Sequence, residues 1–522
     1  MSISRPIALA LLVVVLLLAG AALLLRSDRP ASSSQRDRPD IVVIQTDDQS
    51  LASLGGATMP NVIELAKNGT TFTEAIATTS LCCPSRASLL TGQYAHNHGV
   101  LNNRPGYAKL RGPENVLPAW LQRAGYRTVH LGKFLNGYED VGEARRSAAP
   151  GWDDWLLALA PRAYNGYKLA DVEGHEQRKG GRPRDYATKV FNRRAEQVIR
   201  RHAAEPAPLY LQVDHYAPHN GSGDPRSGCT GNSAVPARRD AYAFNHRPLP
   251  HPRSFDEDDV SDKPPFMSTV SRIDPAERHQ LRRDYRCDLA SLRSVDRGVG
   301  GIVDAVRDTG RLDRTVFVFI SDNGYSYGEH RLVEGKGLAY EESIRVPMVI
   351  AAPPGLLEAD SPRRNDDPVA NIDLAPTILD LAGAAPCLDA ERCRMLDGRS
   401  LVPLLRGERP AWSRDRALAV EFTAGGRINA VPKAGQSCEY HGVRTTSEML
   451  VVHTRAPRRG ETRCRREPQI EQYDLERDPR QLENLADRSG DRVRERRSEL
   501  LERARALATC AGTSSAAEDP CE

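Results

Sequence analysis

The chain has 522 residues, and its 72 basic and 69 acidic side chains leave a net charge of only +3. A charge so close to balance gives no reason to expect nucleic acid as a partner, because nucleic-acid binding calls for a strongly basic surface. A chain of this length can hold one large domain and a smaller second one, with an ample hydrophobic core.

The N-terminal segment predicts export. An uninterrupted apolar run at residues 7–25 follows Arg5 and is followed by Arg26. This run is long for the core of a signal peptide and just long enough to span a bilayer, so residues 1–26 are either a cleaved signal or a retained membrane anchor. Residues 27–38 are rich in Ser, Arg, Asp and Pro and predict a flexible tether. In both cases we expect the remaining chain to be extracellular, or anchored to the membrane and facing outside.

Apolar runs then alternate with helix-like segments, which predicts a large doubly wound α/β domain over residues 39–405, with helices flanking a parallel or mixed sheet. The apolar runs are typical of buried parallel strands. The predicted strands are 41–44, 128–131, 209–213, 316–320 and 346–351. The predicted helices are 61–67, 116–124, 186–204 and 290–308.

Two later stretches depart from this alternation. Residues 221–274 are rich in Pro, Gly and charge and have weak periodicity, which predicts an inserted surface excursion. Within residues 406–522, strand-like runs at 417–422 and 449–452 precede a charged helix at 492–507. This order predicts a smaller C-terminal α+β domain with an antiparallel sheet. Arginines alternate with glutamates in the last helix, which is more typical of a solvated face than of a binding patch.

A cysteine stands at the start of a predicted short helix in residues 81–92, Leu-Cys-Cys-Pro-Ser-Arg-Ala-Ser-Leu-Leu-Thr-Gly. Pro84 suits a first helical position, and Gly92 suits the helix end. Cys82 would therefore lie where unpaired backbone N–H groups and the positive end of the helix dipole gather, which is a suitable place for sulfate or phosphate. The alternative interpretation is a buried cysteine pair beside a helix N-terminus.

Polar side chains follow two of the predicted strands. Asp47 and Asp48 come after the first strand, and Asp322 and Asn323 come after the fourth. Functional groups of such sheets collect beyond the carboxyl ends of the strands, and adjacent carboxylates repel each other unless a cation or strong donors lie between them. An all-oxygen set suits calcium or magnesium and not zinc. Turn formation or capping is the alternative for either pair alone.

Basic side chains are expected at the same edge of the sheet. Lys133 and His219 follow two further strands, and Lys336 lies in a later loop. Around a metal, such groups would form a clamp for a doubly charged tetrahedral oxyanion ester. Taken singly, each lysine is more typical of a solvated surface, and the histidine of a local hydrogen bond.

The string that begins at Cys82 resembles the signature of the type I sulfatases in the alkaline phosphatase superfamily, C-x-P-S-R followed by A-S-L-L-T-G. The resemblance extends from Asp40 to about residue 485. In that family a formylglycine-generating enzyme oxidises the first cysteine to formylglycine, which implies that Cys82 becomes 3-oxoalanine and Cys83 fills the variable position. The resemblance also implies a Ca²⁺ site, with Mg²⁺ as the alternative ion, whose ligands are Asp47, Asp48, the modified Cys82, Asp322 and Asn323.

The resemblance further implies roles for four catalytic residues beside Cys82. Arg86 would stabilise the formylglycine diol, and Lys133 and Lys336 would hold the sulfate oxygens. His219 would protonate the departing alcohol. Many arylsulfatases have a histidine two places after the first lysine, but this chain has Leu135 there. The base that releases sulfate is therefore left unassigned.

The substrate class follows from smaller motifs. The double cysteine and the string Gly-Lys-Phe-Leu-Asn at 132–136 are more similar to N-acetylglucosamine-6-sulfatases and extracellular heparan endosulfatases than to arylsulfatases. His96 and His98 also match that group, although a structural role is favoured for both. We therefore expect hydrolysis of a sulfated carbohydrate of the glucosamine 6-sulfate type. The alternatives are an arylsulfatase, a formylglycine-dependent phosphonate or phosphodiester hydrolase, and a catalytically inactive secreted carbohydrate-binding protein.

The ten cysteines agree with an oxidising compartment. If Cys82 is modified and Cys83 stays reduced, eight remain, although sequence alone leaves their connectivity open. A structural zinc site is the competing interpretation, but no C-x-x-C pair supports it. The favoured pairs are Cys229 with Cys287, Cys387 with Cys393, Cys438 with Cys464, and Cys510 with Cys521.

Overall fold

The computed structural model describes residues 38–141, 147–159, 163–221, 223–230, 233–268, 270–333, 335–353, 355–357, 362–423, 438–457, 464–512 and 521. The predicted signal or anchor lies outside the described residues, as does all of the predicted tether except Arg38. Among the described helices, none combines the length and the apolar character that crossing a membrane requires.

Most of the chain is organised around one large sheet. The first twelve strands are β1 (Asp40–Asp47), β2 (Thr70–Phe72), β3 (Ala75–Ile76), β4 (Arg127–Gly132), β5 (Asp154–Leu159), β6 (Lys168–Asp171), β7 (Glu176–Arg178), β8 (Leu209–Pro218), β9 (Thr315–Ser321), β10 (Met348–Ala351), β11 (Arg364–Asn365) and β12 (Val369–Ala370). Ten of them form a single sheet in the order β11-β2-β10-β9-β1-β8-β4-β5-β6-β7, while β3 pairs with β12.

Strand β1 lies at the centre of the sheet and is buried along its whole length. Ile41 and Val43 pack into the core on one face of the sheet, whereas Val42 and Ile44 pack into the core on the other. A strand covered on both faces must be apolar at every position, which is why its sequence is continuous rather than alternating. Both neighbours of β1, β8 and β9, run parallel to it.

Helices cover both faces of this sheet. They are α1 (Pro60–Lys67), α2 (Cys82–Thr91), α3 (Ala95–His98), α4 (Leu117–Arg123), α5 (Ala187–His202), α6 (Pro275–Asp308), α7 (Glu341–Ile344), α8 (Leu374–Ala382), α9 (Val402–Leu405), α10 (Ala411–Arg414) and α11 (Asp491–Leu507). Helices α1, α5 and α6 contribute to one core, and α2, α4 and α8 to the other. The doubly wound α/β prediction is therefore confirmed.

The fifth predicted strand is wrong in its direction. Strand β10 begins at Met348 and runs antiparallel to β9. A parallel strand requires a crossover that returns the chain to the opposite edge of the sheet. Here the one-turn α7 is the only helix in the described part of residues 322–347, and the chain re-enters the sheet from the edge at which it left.

Helix α6 begins at Pro275, fifteen residues before the predicted start at residue 290. Asp274 caps it, because its carboxylate accepts hydrogen bonds from the backbone N–H groups of Ala276 and Glu277, both at 2.9 Å. The carboxylate of Glu277 in turn accepts from the backbone N–H of Asp274 at 2.9 Å, which completes a capping box. The charged first half of the helix hides its periodicity in the sequence.

The excursion at 221–274 consists largely of turns and loops, but it is not only a surface feature as predicted. Leu249 and Ile273 pack with residues of α6 in a small buried cluster. Phe266, Met267 and Val270 are buried in the core of the C-terminal sheet. These apolar side chains are too widely and irregularly spaced to give a periodic signal.

The remaining strands form the small antiparallel sheet that the sequence predicts. They are β13 (Leu418–Thr423), β14 (Glu439–Arg444), β15 (Glu448–Pro457), β16 (Cys464–Arg465) and β17 (Gln469–Asp474). Leu500, Ala504 and Leu507 of α11 are buried against this sheet. The boundary at residue 405 stays a prediction, because Ile76 and Ile372 share the same core.

Three of the four predicted cysteine pairs are confirmed. Cys438 is also disulfide-bonded, and its predicted pairing with Cys464 stays a prediction because the side chain of Cys464 lies outside the described part of the chain. The cysteines described as free are Cys82 and Cys83, both buried. The three observed bridges join Cys229 to Cys287, Cys387 to Cys393, and Cys510 to Cys521.

Candidate active site

The carboxyl ends of the central parallel strands bring the predicted acidic residues together. Asp47 ends β1, and Asp48 follows it with a positive φ of 63°, an uncommon conformation outside glycine. Asp322 follows β9, and its Oδ1 accepts a hydrogen bond from the backbone N–H of Asp48 at 3.1 Å. All three side chains are buried.

Helix α2 begins at this edge and directs Cys82 toward Asp47, Asp48 and Asp322, which together form the acidic group. Its Sγ lies 3.5 Å from Asp47 Oδ1 and 3.1 Å from Lys336 Nζ. Burial, reinforced by Asp47, raises the pKa of the Cys82 thiol to about 12. Because the thiolate is the nucleophilic form of cysteine, this environment does not activate an unmodified thiol.

Arg86, one helical turn after Cys82, joins the two strand ends. Its Nε donates to Asp322 Oδ2 at 2.8 Å, and its Nη2 lies 3.3 Å from Asp47 Oδ2. Lys133, which follows β4, also donates a hydrogen bond to Asp47 through its Nζ. Both cations are buried, so the negative charge of the carboxylates is balanced by these side chains in a place that water does not reach.

A second pair of basic groups faces Asp48. Lys336 Nζ donates to both carboxylate oxygens at 2.5 and 2.7 Å, and His219 Nε2 lies 3.5 Å from Oδ2. The other ring nitrogen of His219 lies 2.8 Å from the hydroxyl of Tyr216. This contact orients the ring so that Nε2 points toward the acidic group.

The pKa values of the buried carboxyl groups shift in opposite directions. Burial raises the pKa of Asp47, but Lys133, His219 and Arg86 outweigh it, and the pKa falls below its ordinary value of 3.8. Burial and the neighbouring charge of Asp47 raise the pKa of Asp322 to about 6. A divalent cation between these carboxylates would relieve their repulsion.

Four side chains at this edge could hold a divalent cation, with the Cys82 sulfur and a His219 ring nitrogen beside carboxylate oxygens of Asp47 and Asp48. One ligand atom from each of Asp47, Asp48, Cys82 and His219 lies within 4.8 Å of all the others. Asn323 Oδ1 is buried and has no hydrogen-bond partner among the described residues, while its Nδ2 donates to Asp48 Oδ1 at 2.7 Å. Carboxylate and amide oxygens are preferred by calcium and magnesium. The sequence prediction did not include His219 in this group.

A cavity of about 220 Å³ lies beside the acidic group. His219 and Asp48 form one wall, so a molecule in the cavity would meet the imidazole directly. The other side chains around it are largely polar and acidic, and they include Asn220, Asp284, Asp288 and Tyr325.

Two further polar residues of the site carried no predicted role. Asp214 Oδ2 lies 3.8 Å from Arg86 Nη1 and 2.9 Å from His130 Nε2. The register of β8 against β4 pairs Asp214 with Gly132, directly before Lys133. The alignment of β8 with β4, which a single sequence does not display, places Asp214 at the site.

The two histidines that follow helix α2, His96 and His98, lie outside the acidic group. His98 Nε2 lies 3.1 Å from Ser88 Oγ, and His96 Nδ1 lies 2.9 Å from Glu421 Oε2. These contacts agree with the structural role favoured for both. Leu135 is buried in the apolar core, so its position supplies no base for sulfate release.

Two family models and several known proteins match this chain. A family model described as "Sulfatase" matches residues 39–384, and one described as "N-sulphoglucosamine sulphohydrolase, C-terminal" matches residues 328–507. An arylsulfatase of Volvox carteri is 31% identical over 521 residues, 92% of this chain and 76% of its own length.

A further relative and a solved structure are named for carbohydrate substrates, and an extracellular sulfatase homolog also matches. The N-acetylglucosamine-6-sulfatase of Homo sapiens is 31% identical over 403 residues, 75% of this chain and 68% of its own length. An extracellular sulfatase SULF-1 homolog of Drosophila melanogaster is 30% identical over 402 residues, 75% of this chain and 33% of its own length. A solved structure in complex with its substrate D-glucosamine-2-N,6-O-disulfate superposes with a TM-score of 0.69 at 22% identity, covering 89% of this chain and 96% of that one.

Proposed function

The chain belongs to the sulfatase family and is a sulfuric ester hydrolase, and we propose that it removes sulfate from carbohydrates of the glucosamine 6-sulfate type. The observation that carries this proposal is the convergence of Cys82, at the start of α2, with buried acids and basic groups at the carboxyl edge of the sheet. The relatives named for glucosamine 6-sulfate support the choice of substrate.

Residue 82 would act as a formylglycine. A formylglycine hydrate supplies an oxygen nucleophile, and its second hydroxyl allows sulfate to leave by carbon–oxygen cleavage. The Cys82 thiol, with its pKa raised to about 12, would be a poor nucleophile, which supports its conversion. We therefore include a formylglycine-generating enzyme as a partner during maturation.

The basic groups would bind the sulfate and the leaving group. Lys133 and Lys336 would hold the sulfate oxygens, because both ammonium groups already lie against the acidic group beside residue 82. Their charges would stabilise the negative charge that develops on the transferred group. Arg86 would orient the diol of residue 82 from one helical turn away.

His219 would protonate the departing alcohol. Its Nε2 faces Asp48 and lines the 220 Å³ cavity, while its other nitrogen is held by Tyr216. A sugar in this cavity would present its ester oxygen to the imidazole. Protonation avoids the release of an alkoxide, which is a poor leaving group compared with a phenolate.

We propose Ca²⁺ as the bound ion, with Mg²⁺ as the alternative. Asp47, Asp48, Asp322, Asn323 and the oxygen of the modified residue 82 would hold it. A calcium ion at this place would neutralise the carboxylates and draw negative charge toward the sulfate oxygens.

Export is proposed together with this activity. Three disulfides, and a further cysteine, Cys438, that is also disulfide-bonded, support an oxidising compartment. The Drosophila relative is named as an extracellular sulfatase, which supports secretion. Whether residues 1–26 are cleaved or retained as an anchor can be tested by sequencing the N-terminus of the mature protein.

The decisive experiment joins mass analysis to turnover. We expect the peptide that contains residue 82 to have the mass of an aldehyde or its hydrate rather than a thiol. We also expect the purified protein to release sulfate from glucosamine 6-sulfate with a higher kcat/KM than from nitrophenyl sulfate. Brisk turnover of the aryl ester without release from any sugar sulfate would instead make it an arylsulfatase.

Matched esters separate the other two alternatives. Phosphonate or phosphodiester esters of the same alcohols should react more slowly than the sulfates, and faster reaction would identify a phosphonate or phosphodiester hydrolase. Aldehyde at residue 82 without turnover of any ester would favour a carbohydrate-binding protein.

A further inference from the structure

A second cavity, of about 600 Å³, lies next to the active-site cavity. Tyr325 lines both cavities, and the two chain segments that supply the metal-site residues continue into the second one. Ser50 follows Asp48 by two residues, and Tyr325 follows Asn323 by two residues. A substrate held at the catalytic residues could therefore extend into this space.

Three tyrosines give the second cavity an aromatic wall. The ring centroids of Tyr325 and Tyr327 are 5.1 Å apart, as are those of Tyr327 and Tyr285. The hydroxyl of Tyr327 donates to Asp288 Oδ2 at 2.6 Å, which fixes its ring. Rigid aromatic faces combined with a few polar groups are typical of small-molecule sites, and they suit the C–H faces of a sugar ring.

A buried hydroxyl in the same wall has no partner among the described residues. Ser50 is only 6% exposed, and its Oγ accepts and donates no hydrogen bond there. The side chain does not cap the helical turn that begins at Leu51 either. Its Oγ has almost no accessible surface, so Ser50 contributes to the shape of the cavity wall and is not counted as a hydrogen-bonding group for the ligand.

The charges around the second cavity favour a neutral ligand. Arg345 Nη2 lies 3.0 Å from Glu74 Oε1, and Arg480 Nη1 lies 3.3 Å from Glu342 Oε1. Both arginines are therefore already paired with carboxylates. Glu329 and Glu342 also line the cavity. A carboxylate or sulfate on the ligand would be repelled by these acids. The two arginines would not offset the repulsion, because they are already paired.

From this combination we propose that the second cavity binds a neutral sugar linked to the sulfated one, so that the preferred substrate is an oligosaccharide. Its volume lies within the range of roughly 300–1,000 Å³ that ligand pockets occupy. This inference rests on the proposed function, because it assigns the sulfated sugar to the cavity at His219. To the proposed function it adds that a second sugar is linked to the sulfated one and that this second sugar carries no charge.

The first test compares substrates on the full-length protein. We expect the kcat/KM for a neutral disaccharide or trisaccharide that carries glucosamine 6-sulfate to exceed that for the monosaccharide by about tenfold. An oligosaccharide with a uronate beside the sulfated sugar should show no such advantage. Equal values for the monosaccharide and the neutral oligosaccharide, or a preference for the uronate, would overturn the inference.

The second test blocks the cavity. Ala52 is exposed on its wall, and Ala52→Trp should reduce the oligosaccharide-to-monosaccharide ratio of kcat/KM to about one. Tyr325→Ala should lower the same ratio. Ala57→Trp is the matched control, because Ala57 is also exposed but does not line this cavity, and its ratio should stay at the wild-type value. An unchanged ratio in Ala52→Trp would contradict the proposal.

A binding measurement separates this inference from the proposed function. Calorimetry with the unsulfated neutral oligosaccharide should detect binding to the wild type and a loss of at least fivefold in Ala52→Trp. Binding of this kind without any sulfate release would support the subsite and contradict the proposed reaction. Sulfate release without such binding would support the proposed reaction and contradict the subsite.

Discussion

At the scale of single residues, the two adjacent cysteines differ in surroundings rather than in acidity. Burial raises the pKa of each thiol to about 12. Cys82 lies against Asp47 and Lys336, whereas Cys83 Sγ lies 3.7 Å from the carbonyl oxygen of Asn136, away from the acidic group. Position, not intrinsic reactivity, therefore distinguishes the proposed catalytic residue from its neighbour.

The first prediction concerns this pair. Cys82→Ala should abolish sulfate release and leave the fold intact, because its side chain would supply the nucleophile. Cys83→Ala should retain activity and lower the free energy of unfolding by about 1 kcal/mol, the cost of a small buried side chain. Both variants are compared by turnover and by chemical denaturation. Equal loss of activity in two folded variants would contradict the assignment of Cys82.

The second prediction concerns the metal. A strong chelator should inactivate the enzyme, and added calcium should restore activity, because the acidic group fits a hard cation. Asp322→Asn should reduce both the bound calcium and the sulfate release, since it removes one of the carboxylates. Exposed Asp313→Asn is the control and should change neither. Full activity in a preparation shown by elemental analysis to be metal-free would refute the site.

At the scale of elements, helix α6 connects the excursion to the active-site cavity. Its first turns carry Gln280, Leu281 and Asp284 of that cavity, and its Cys287 is bonded to Cys229 of the excursion. The capping box at Asp274 stabilises the end of the helix that the sequence pattern failed to indicate. The cavity wall therefore depends on a local hydrogen-bonded cap as well as on core packing.

The third prediction tests that cap. Asp274→Ala should lower the free energy of unfolding by about 1 kcal/mol, because two backbone N–H groups lose their acceptor. Asp304→Ala lies in the same helix, where the side chain is 64% exposed and forms a surface ion pair with Arg307. It should change stability by less than about 0.5 kcal/mol. Denaturant titrations of both variants would show the difference, and equal effects would contradict the role of the cap.

At the scale of the whole molecule, a buried ionic cluster joins the excursion to the catalytic loops. His330 Nδ1 lies 2.7 Å from Glu257 Oε2, and its Nε2 lies 3.7 Å from Glu342 Oε2. Lys263 lies 3.3 Å from the other oxygen of Glu257. Burial lowers the pKa of His330, but the hydrogen bonds and charges of the two glutamates outweigh it and raise the pKa to about 9.

The fourth prediction follows from this shift. Because the folded-state pKa of His330 exceeds the ordinary value of 6.5, the folded protein binds the proton more tightly than the unfolded chain. The stability from this proton is fully present below pH 6.5 and is lost as the pH rises through about 9. The loss should be on the order of 3 kcal/mol. Burial and Glu342 also raise the pKa of neighbouring Glu329 to about 7, which acts in the same direction at lower pH.

The measurement is the free energy of unfolding at pH 6.5 and pH 9 in the wild type and in His330→Gln. The wild type should lose more stability than the variant over this interval, because Gln cannot bind the proton. His246, for which no ion pair is described, supplies the control His246→Gln, which should retain the wild-type pH dependence. Identical pH profiles for the wild type and His330→Gln would contradict the prediction.

The sequence by itself indicated the central strands and the edge of the sheet at which the candidate site residues lie. Strands buried on both faces require continuous apolar runs, so β1, β4, β8 and β9 were all recognisable. In a parallel sheet their carboxyl ends meet at one edge, and the residues that follow them had to converge. The proline and the terminal glycine of helix α2 lie within residues 81–92, which made the helix a local signal. The predicted start was wrong, because the helix begins at Cys82 and Pro84 is its third residue.

Only the tertiary structure decided the features that depend on contacts between distant parts of the chain. The direction of β10 follows from the edge at which residues 322–347 return, and the place of Asp214 follows from the register of β8 against β4. Leu249 and Ile273 of the excursion are buried against α6, and Phe266, Met267 and Val270 are buried in the core of the C-terminal sheet. Such pairings are set by packing free energy over the whole molecule, which leaves no periodic pattern in the local sequence.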